Sequence, residues 1–228
     1  MSGRRVALVS GGNRGIGAAI VRTLAQEGWD VSVGMRTPRA MAEAAQIHRY
    51  DAMDRTSEAA WVAAAVQRFG RIDAIVANAG IMIPKTVIEA EDADLDALFE
   101  VNVKSPLRLV RAAWPQLVAC GRGRVVTIVS LSGLRVKTAR SGLYSVSKFA
   151  AQALTQAVRQ SGWDEGVRAV AVCPGFVASD MSAAITDRAP ETMTQPEDVA
   201  RTVAFVLDLP NSASIATLPI NSTLEESL

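Results

Sequence analysis

The chain has 228 residues, 49% of them hydrophobic, and its formal net charge at pH 7 is +1. This length suits one α/β domain with a large apolar core, and the near-neutral charge gives no electrostatic reason for nucleic-acid binding. No apolar run approaches the roughly 18 residues needed to span a bilayer. The chain enters a predicted strand almost at once and has two cysteines, so we expect no signal peptide and a cytoplasmic location.

Apolar strands alternate with amphipathic helices along the whole chain. This alternation favours a doubly wound parallel sheet, Rossmann-like, with three layers and about seven strands. We expect a single domain over residues 1–228, with a substrate loop at about 176–195 and the longest helical stretch over 92–119. The strands are predicted near residues 5–9, 30–35, 46–50, 72–77, 124–129, 167–172 and 215–219.

A glycine turn follows the first predicted strand. Residues 10–17, SGGNRGIG, carry the spacing G-x-x-x-G-x-G and precede a helical pattern that Gly28 is expected to end. Backbone N–H groups at such a strand-to-helix turn form an anion site, and a Cβ there would hold a phosphate away. The same spacing also occurs in plain tight turns. The turn therefore predicts a dinucleotide site only in combination with a second motif.

That second motif pairs a phenol with an ammonium. Tyr144 and Lys148 are four residues apart in a helix predicted over 143–160, so their side chains share one face. We expect the ammonium to lower the pKa of Tyr144, which would suit acid/base exchange between an alcohol and a carbonyl. Ser130 and Ser132 follow the predicted strand 124–129, at the sheet edge where ligands of open α/β sheets bind.

With these motifs in this order, the chain resembles the short-chain dehydrogenase/reductase family in its single-domain form, from about residue 4 to about residue 209. Two departures stand out. Position 10 is Ser where the family usually has Thr, and the C-terminus lacks the Gly-Gly ending of many members, which weakens any transfer of the family's tetramer contacts. The matched positions are residues 10–17, Asp51, residues 78–80, Asn102, Ser130, Tyr144, Lys148 and residues 174–175.

The resemblance implies four catalytic residues. Tyr144 would be the general acid in reduction and the base in oxidation, and Lys148 would hold the nicotinamide ribose. Ser130 would hydrogen-bond the substrate oxygen; its position 14 residues before Tyr144 favours it over Ser132. Asn102 would kink its helix and hold a proton-relay water. No metal site is expected.

The resemblance also implies a nicotinamide cofactor, and the residues favour NADP over NAD. An acidic residue after the second strand would repel a 2′-phosphate, but Met35 and Arg36 stand there, and Arg14 lies where NADP-preferring members often carry a basic residue. Asp51 would meet the adenine. The predicted cofactor contacts are Ser10, Gly11, Asn13, Arg14, Gly15, Ile16, Gly17, Arg36, Asp51, Ala52, Asn78, Ala79, Gly80, Tyr144, Lys148, Pro174, Gly175, Val177 and Ser179.

The leading prediction is an oxidoreductase that transfers a hydride between NADP(H) and a small carbonyl compound or secondary alcohol. The alternatives are a non-catalytic NADP(H)-binding sensor or assembly protein, and a methyltransferase on a similar fold, which would need no Tyr-Lys pair. Arg135, Lys137 and Arg140 could attract an anionic substrate, although a solvated basic loop is the favoured interpretation. The expected partners are a small-molecule substrate and further copies of the chain, as a homodimer or homotetramer, with no nucleic acid and no membrane.

Overall fold

The structure, a computed structural model, describes residues 3–224; the first two and last four residues of the expected 1–228 domain lie outside it. Within that range, seven parallel strands form one sheet in the order β3-β2-β1-β4-β5-β6-β7. This arrangement confirms the predicted fold class. The strands are β1 (Val6–Ser10), β2 (Asp30–Met35), β3 (Gln46–Arg49), β4 (Ala74–Ala77), β5 (Arg124–Ile128), β6 (Arg168–Pro174) and β7 (Thr217–Ile220).

Helices cover both faces of the sheet, because each strand presents apolar side chains on both sides. Helix α1 packs beside α7 over one face, and α2 packs beside α4 over the other. Among the helices within residues 3–224, none is both long and apolar enough to cross a membrane. The helices are α1 (Gly15–Gln26), α2 (Ser57–Phe69), α3 (Asp92–Phe99), α4 (Ser105–Ala119), α5 (Gly142–Gly162), α6 (Asp180–Ala183) and α7 (Pro196–Asp208).

The strand order reverses between β1 and β4. Strand β1 pairs with β2 on one side and with β4 on the other, so the connections leaving the carboxyl ends of β1 and β4 diverge. A crevice opens at such a switch point, at the carboxyl edge of the sheet. The glycine turn follows β1 at this edge, and Asn78 and Ser130 follow β4 and β5 closely.

The strands begin and end within two residues of their predicted bounds. The helical stretch expected over 92–119 differs, because a π-helical turn, Glu100–Lys104, separates α3 from α4. A π turn inserts one extra residue into the helix and redirects the side chains around it. Asn102, which we expected to kink its helix, lies at the centre of this turn.

Candidate active site

The glycine loop adopts a backbone that other residues would strain. Gly11 and Gly15 have φ values of +64° and +50°, in the left-handed region. A Cβ on Gly17 would lie 2.3 Å from the carbonyl oxygen of Gly11 and 2.5 Å from Asn78 Nδ2. The loop therefore packs directly against the end of β4, and α1 begins inside it at Gly15 with its N-terminal N–H groups at the crevice.

Ser10 and Asn78 hold the glycine loop to β4. The hydroxyl of Ser10 accepts hydrogen bonds from the N–H groups of Asn78 and Ala79, both at 3.0 Å. Asn78 Nδ2 donates to the carbonyl oxygens of Ser10 at 2.9 Å and Gly11 at 3.2 Å. Ser10 is only 2% exposed, so the structure puts this predicted cofactor contact behind the loop, where it supports the loop.

Tyr144, Lys148 and Ser130 meet at the carboxyl end of β5. Lys148 Nζ lies 5.6 Å from the centroid of the Tyr144 ring and donates a hydrogen bond to the carbonyl of Ile128 at 3.0 Å. Ser130 lies close enough to Tyr144 to influence the ionisation of its phenol. Ser130 Oγ also accepts from the backbone N–H of Ser132 at 3.0 Å. Ser132 also lines the cleft, so the choice of Ser130 over Ser132 stays a prediction.

Burial dominates the ionisation of the Tyr144–Lys148 pair. It raises the pKa of Tyr144 to about 12, against a smaller lowering by the Ser130 hydroxyl. It lowers the pKa of Lys148 to about 8. The net shift of the Tyr144 pKa is opposite to the lowering that we expected from Lys148, because desolvation of the phenol is the largest influence on it.

Asn102 links the π turn to the loop after β4 and to α5. Its Oδ1 accepts from the N–H of Ile81 at 3.0 Å, and its Nδ2 donates to the carbonyl of Ile81 and to Ser147 Oγ, each at 3.0 Å. Ser147 Oγ donates in turn to the carbonyl of Tyr144 at 2.7 Å. Asn102 is thus a structural link between the backbone beside Gly80 and the helix that carries the phenol.

These groups surround one cleft of about 1500 Å³ at the carboxyl edge of the sheet. Ligand pockets commonly measure roughly 300–1,000 Å³, so this cleft has room for a large ligand and a second small one. Ser10 and Asn102 lie behind its wall. The other predicted site residues line it: Gly11, Asn13, Arg14, Gly15, Ile16, Gly17, Arg36, Asp51, Ala52, Asn78, Ala79, Gly80, Ser130, Tyr144, Lys148, Pro174, Gly175, Val177 and Ser179.

The expected substrate loop closes one side of this cleft. Helix α6 lies within it, and Asp180 Oδ2 accepts from Arg14 Nη1 at 3.0 Å, across the cleft. Ser179 Cβ lies 3.6 Å from where a Cβ on Gly15 would stand. The basic residues Arg135, Lys137 and Arg140 also line the cleft, and Arg140 donates to the carbonyl of Pro84.

Arg39 is a cleft residue that the sequence pattern did not indicate. This exposed arginine lines the cleft, and its guanidinium donates to the carbonyl of Asn13 in the glycine loop. Arg39 therefore joins Arg14 and Arg36 at the β2 end of the cleft. The only indication in the sequence was a basic residue three positions beyond Arg36, which does not reveal where the side chain points.

Comparisons with known proteins agree with this geometry. The profile of the short chain dehydrogenase family matches residues 5–190. An agropine synthesis reductase of Rhizobium rhizogenes is 39% identical over 218 residues, or 92% of this chain and 50% of that protein, so the chain spans half the length of this relative. An uncharacterised oxidoreductase of Staphylococcus saprophyticus is 30% identical over 92% of this chain and 94% of its own.

A short chain dehydrogenase from Burkholderia cenocepacia, solved in complex with NADP, superposes with a TM-score of 0.87 at 32% identity over 97% of both chains. The chain belongs to the short-chain dehydrogenase family.

Proposed function

We propose that this protein uses NADP(H) to interconvert a small carbonyl compound and its secondary alcohol, with Tyr144 as the acid/base. The observation that carries the proposal is that Tyr144, Ser130 and Lys148 share one cleft with a glycine loop at a helix N-terminus. A relative of 32% identity that was solved in complex with NADP supports the same cofactor for this chain.

The cleft residues fit a dinucleotide. A Cβ on Gly80 would lie 3.2 Å from Asn102 Oδ1 and 3.5 Å from Lys148 Nζ, so glycine keeps the space in front of these two groups open. The N-terminus of α1 would bind the pyrophosphate, since its free N–H groups and dipole favour anions. Lys148 would hold the nicotinamide ribose, and Asp51 would meet the adenine at the opposite end.

Three arginines support NADP in preference to NAD. Arg14, Arg36 and Arg39 all line the cleft near the end of β2, where an NAD-specific site would carry a carboxylate for the ribose hydroxyl. A guanidinium binds phosphate through a fork of N–H donors. The guanidinium of Arg14 already pairs with the carboxylate of Asp180. Arg36 is exposed, and Arg39 donates a hydrogen bond to the carbonyl of Asn13 in the glycine loop.

The residues of the chain would handle the proton in this reaction. The bound cofactor supplies or accepts a hydride. In reduction, Tyr144 would give its phenolic proton to the carbonyl oxygen, while the Ser130 hydroxyl would hydrogen-bond the same oxygen and stabilise its developing charge. Because the pKa of Tyr144 is about 12, the phenol keeps its proton at neutral pH and is ready for the reductive direction. Oxidation needs the phenolate and would be favoured at alkaline pH.

The experiment is a panel of ketones, keto acids and secondary alcohols, assayed with both cofactors through the absorbance of reduced nicotinamide. We expect turnover of at least one carbonyl class, and a higher kcat/KM with NADPH than with NADH. Arg39→Ala should lower kcat/KM with NADPH by about tenfold, the value of one charge-assisted hydrogen bond, and leave kcat/KM with NADH unchanged. NADH therefore serves as the internal control.

Two outcomes would contradict the proposal in different ways. A clear preference of the wild-type enzyme for NADH would overturn the assignment of the arginines to a 2′-phosphate. Tight NADPH binding without turnover across the whole panel would favour the alternative of a non-catalytic sensor or assembly protein.

A further inference from the structure

A buried polar cluster lies behind the cleft, between α2 and the π turn. It consists of Tyr50, Glu58, Glu100, Ser105 and Arg108, and we call it the Arg108 cluster. Glu58 is 1% exposed and Glu100 is 6% exposed. Arg108 donates to Glu58 through Nε at 3.1 Å and Nη2 at 3.0 Å, and to Glu100 through Nη1 at 2.6 Å. One guanidinium thus bridges two buried carboxylates from different elements.

The hydroxyl groups of the Arg108 cluster form a directed chain. Ser105 Oγ donates to Glu58 Oε1 at 2.5 Å, because an ionised carboxylate can only accept. Tyr50 must therefore donate to Ser105 Oγ, from which it lies 2.5 Å away. Burial raises the pKa of Tyr50 to about 12, which keeps that proton in place. The cluster has a single arrangement of donors and acceptors, so it fixes the positions of its members closely.

Stability alone is a poor explanation for this cluster. Removing two carboxylates and a guanidinium from water is costly, and apolar residues of similar volume often hold a core together as well or better. Buried ionic groups can instead specify one geometry among several of similar stability. The useful question is which geometry these residues fix.

The Arg108 cluster holds both ends of the π turn. The turn closes through a hydrogen bond from the N–H of Ser105 to the carbonyl of Glu100, a spacing of five residues. The side chains of these same two residues are held by Arg108, Glu58 and Tyr50. A regular α-helix would need one residue fewer over this span, and each residue along a helix turns the side-chain direction by about 100°. Asn102, between the two anchors, would then face away from Ile81.

The cluster also reaches the cofactor side of the cleft. Arg108 Nη2 donates to the carbonyl of Ala52 at 2.9 Å. Ala52 lines the cleft next to Asp51, at the end expected to hold the adenine. The Arg108 side chain therefore touches two parts of the site through separate nitrogens: Nη1 reaches the π turn and Nη2 reaches the adenine end.

We infer that Arg108 is a positioning residue, which holds the π turn so that Asn102 faces Ile81 and α5, and holds the Ala52 backbone against the cofactor. This inference rests on the proposed function. Arg108 touches neither substrate nor cofactor, and acts through Asn102 on the rate and through Ala52 on cofactor affinity. The two effects are separable because they pass through different residues.

The test compares Arg108→Met with Arg111→Met, which removes an exposed arginine one turn further along α4. We expect Arg108→Met to lower kcat at least tenfold and to raise both KM and the calorimetric Kd for NADPH, while Arg111→Met leaves all three unchanged. In an Asn102→Ala background, Arg108→Met should cause no further fall in kcat but should still raise KM. Arg108→Lys, which keeps the charge but loses the planar fork, should recover part of kcat.

Arg108→Met leaves the buried Glu58 without its cationic partner and could fail to fold. Ser105→Ala therefore provides a second variant, which removes a hydroxyl and no charge. It should lower kcat more than it raises KM, because Ser105 anchors the π turn directly and reaches the adenine end only through Tyr50. Two results would overturn the inference. In the first, the kcat losses of Arg108→Met and Asn102→Ala multiply in the double variant. In the second, Arg108→Met and Arg111→Met have equal kinetics. A wild-type kcat in Ser105→Ala would overturn it as well. Failure of the proposed function would differ from all of these, since the wild-type protein itself would then show no turnover.

Discussion

At the scale of single residues, burial moves the pKa values of Tyr144 and Lys148 in opposite directions. The phenol starts at 10.0 and rises to about 12, while the ammonium starts at 10.5 and falls to about 8. Burial penalises the charged form of each group, and no charge of opposite sign nearby outweighs that penalty, so desolvation prevails. Both side chains are driven toward neutrality, the state in which a phenol can give a proton to a carbonyl oxygen.

The depressed pKa of Lys148 predicts that Lys148→Met stabilises the fold at neutral pH. Between about pH 8 and 10.5 the unfolded chain binds more protons at this lysine than the folded one, so its contribution to stability rises with pH across that window. At pH 7 burial of the ammonium lowers the free energy of unfolding by about 3 kcal/mol. The variant also loses the hydrogen bond from Lys148 to the Ile128 carbonyl, which offsets part of its gain. Thermal unfolding should give the variant a higher Tm than wild type at pH 7.

The advantage of Lys148→Met should shrink toward pH 9.5, where the wild-type lysine is largely neutral in the folded state. Measuring both proteins at each pH removes the effects of Tyr50 and Tyr144, whose raised pKa values act above pH 10 in both. A lower Tm for the variant at pH 7, or a difference in Tm that does not change with pH, would contradict this reading of the lysine.

At the scale of elements, the glycine loop and the end of β4 form one packed unit. The backbone of the loop leaves no room for a Cβ at Gly17, because the carbonyl of Gly11 and the Asn78 Nδ2 that donates to it already occupy that space. A side chain at this position must push the loop away from β4. The loop would then present its N–H groups, and the N-terminus of α1, at the wrong distance from a pyrophosphate.

We therefore expect Gly17→Ala to raise KM for NADPH about tenfold or more in steady-state assays. Gly28→Ala provides the control. Gly28 has a left-handed φ of +82°, so alanine is strained there, yet a Cβ would meet nothing within 4 Å and the site is remote from the cleft. The control should lower Tm and leave KM unchanged. Equal KM values for the two variants would show that the loop position does not govern cofactor binding.

Much of this element-scale picture was predictable from the sequence. Short apolar runs bounded by glycine and polar residues give the strands to within two residues, and the glycine loop and Tyr144 lie where their spacing indicates. The π turn was not predictable from the residue pattern, because the apolar pattern continues through residues 92–119. The contact of Arg108 with Glu58, 50 residues away in the chain, is also invisible in that pattern. The upward shift of the Tyr144 pKa also depends on tertiary packing, because Leu98 and Leu143 bury the ring only when α3 and α5 pack together.

At the scale of the whole molecule, α5 leaves apolar side chains in solvent on the side away from Tyr144. Phe149 is 43% exposed and Val146 is 46% exposed. Large apolar side chains grouped on one helix face often mark a contact with another protein. A second copy of the chain would cover them, in keeping with the homodimer or homotetramer expected from the family resemblance.

We expect light scattering to give a mass at least twice the 24.1 kDa of one chain. Phe149→Glu should shift the population toward the single-chain mass, because it puts a charge into the proposed interface. Ile88→Glu is the matched control: Ile88 is 90% exposed on the loop after β4, and its substitution should leave the mass unchanged. A wild-type mass of 24.1 kDa at micromolar concentration would contradict the assembly.

The most direct test of the whole account is Tyr144→Phe, which removes one oxygen atom and preserves the packing of the ring. The kcat for carbonyl reduction and the Kd for NADPH should be measured on the same preparation. General acid catalysis contributes about 10²- to 10⁴-fold, so we predict a fall in kcat of at least about 100-fold, with a Kd for NADPH within about threefold of wild type. A variant that binds NADPH normally and keeps most of the wild-type kcat would contradict the assignment of Tyr144 as the proton donor.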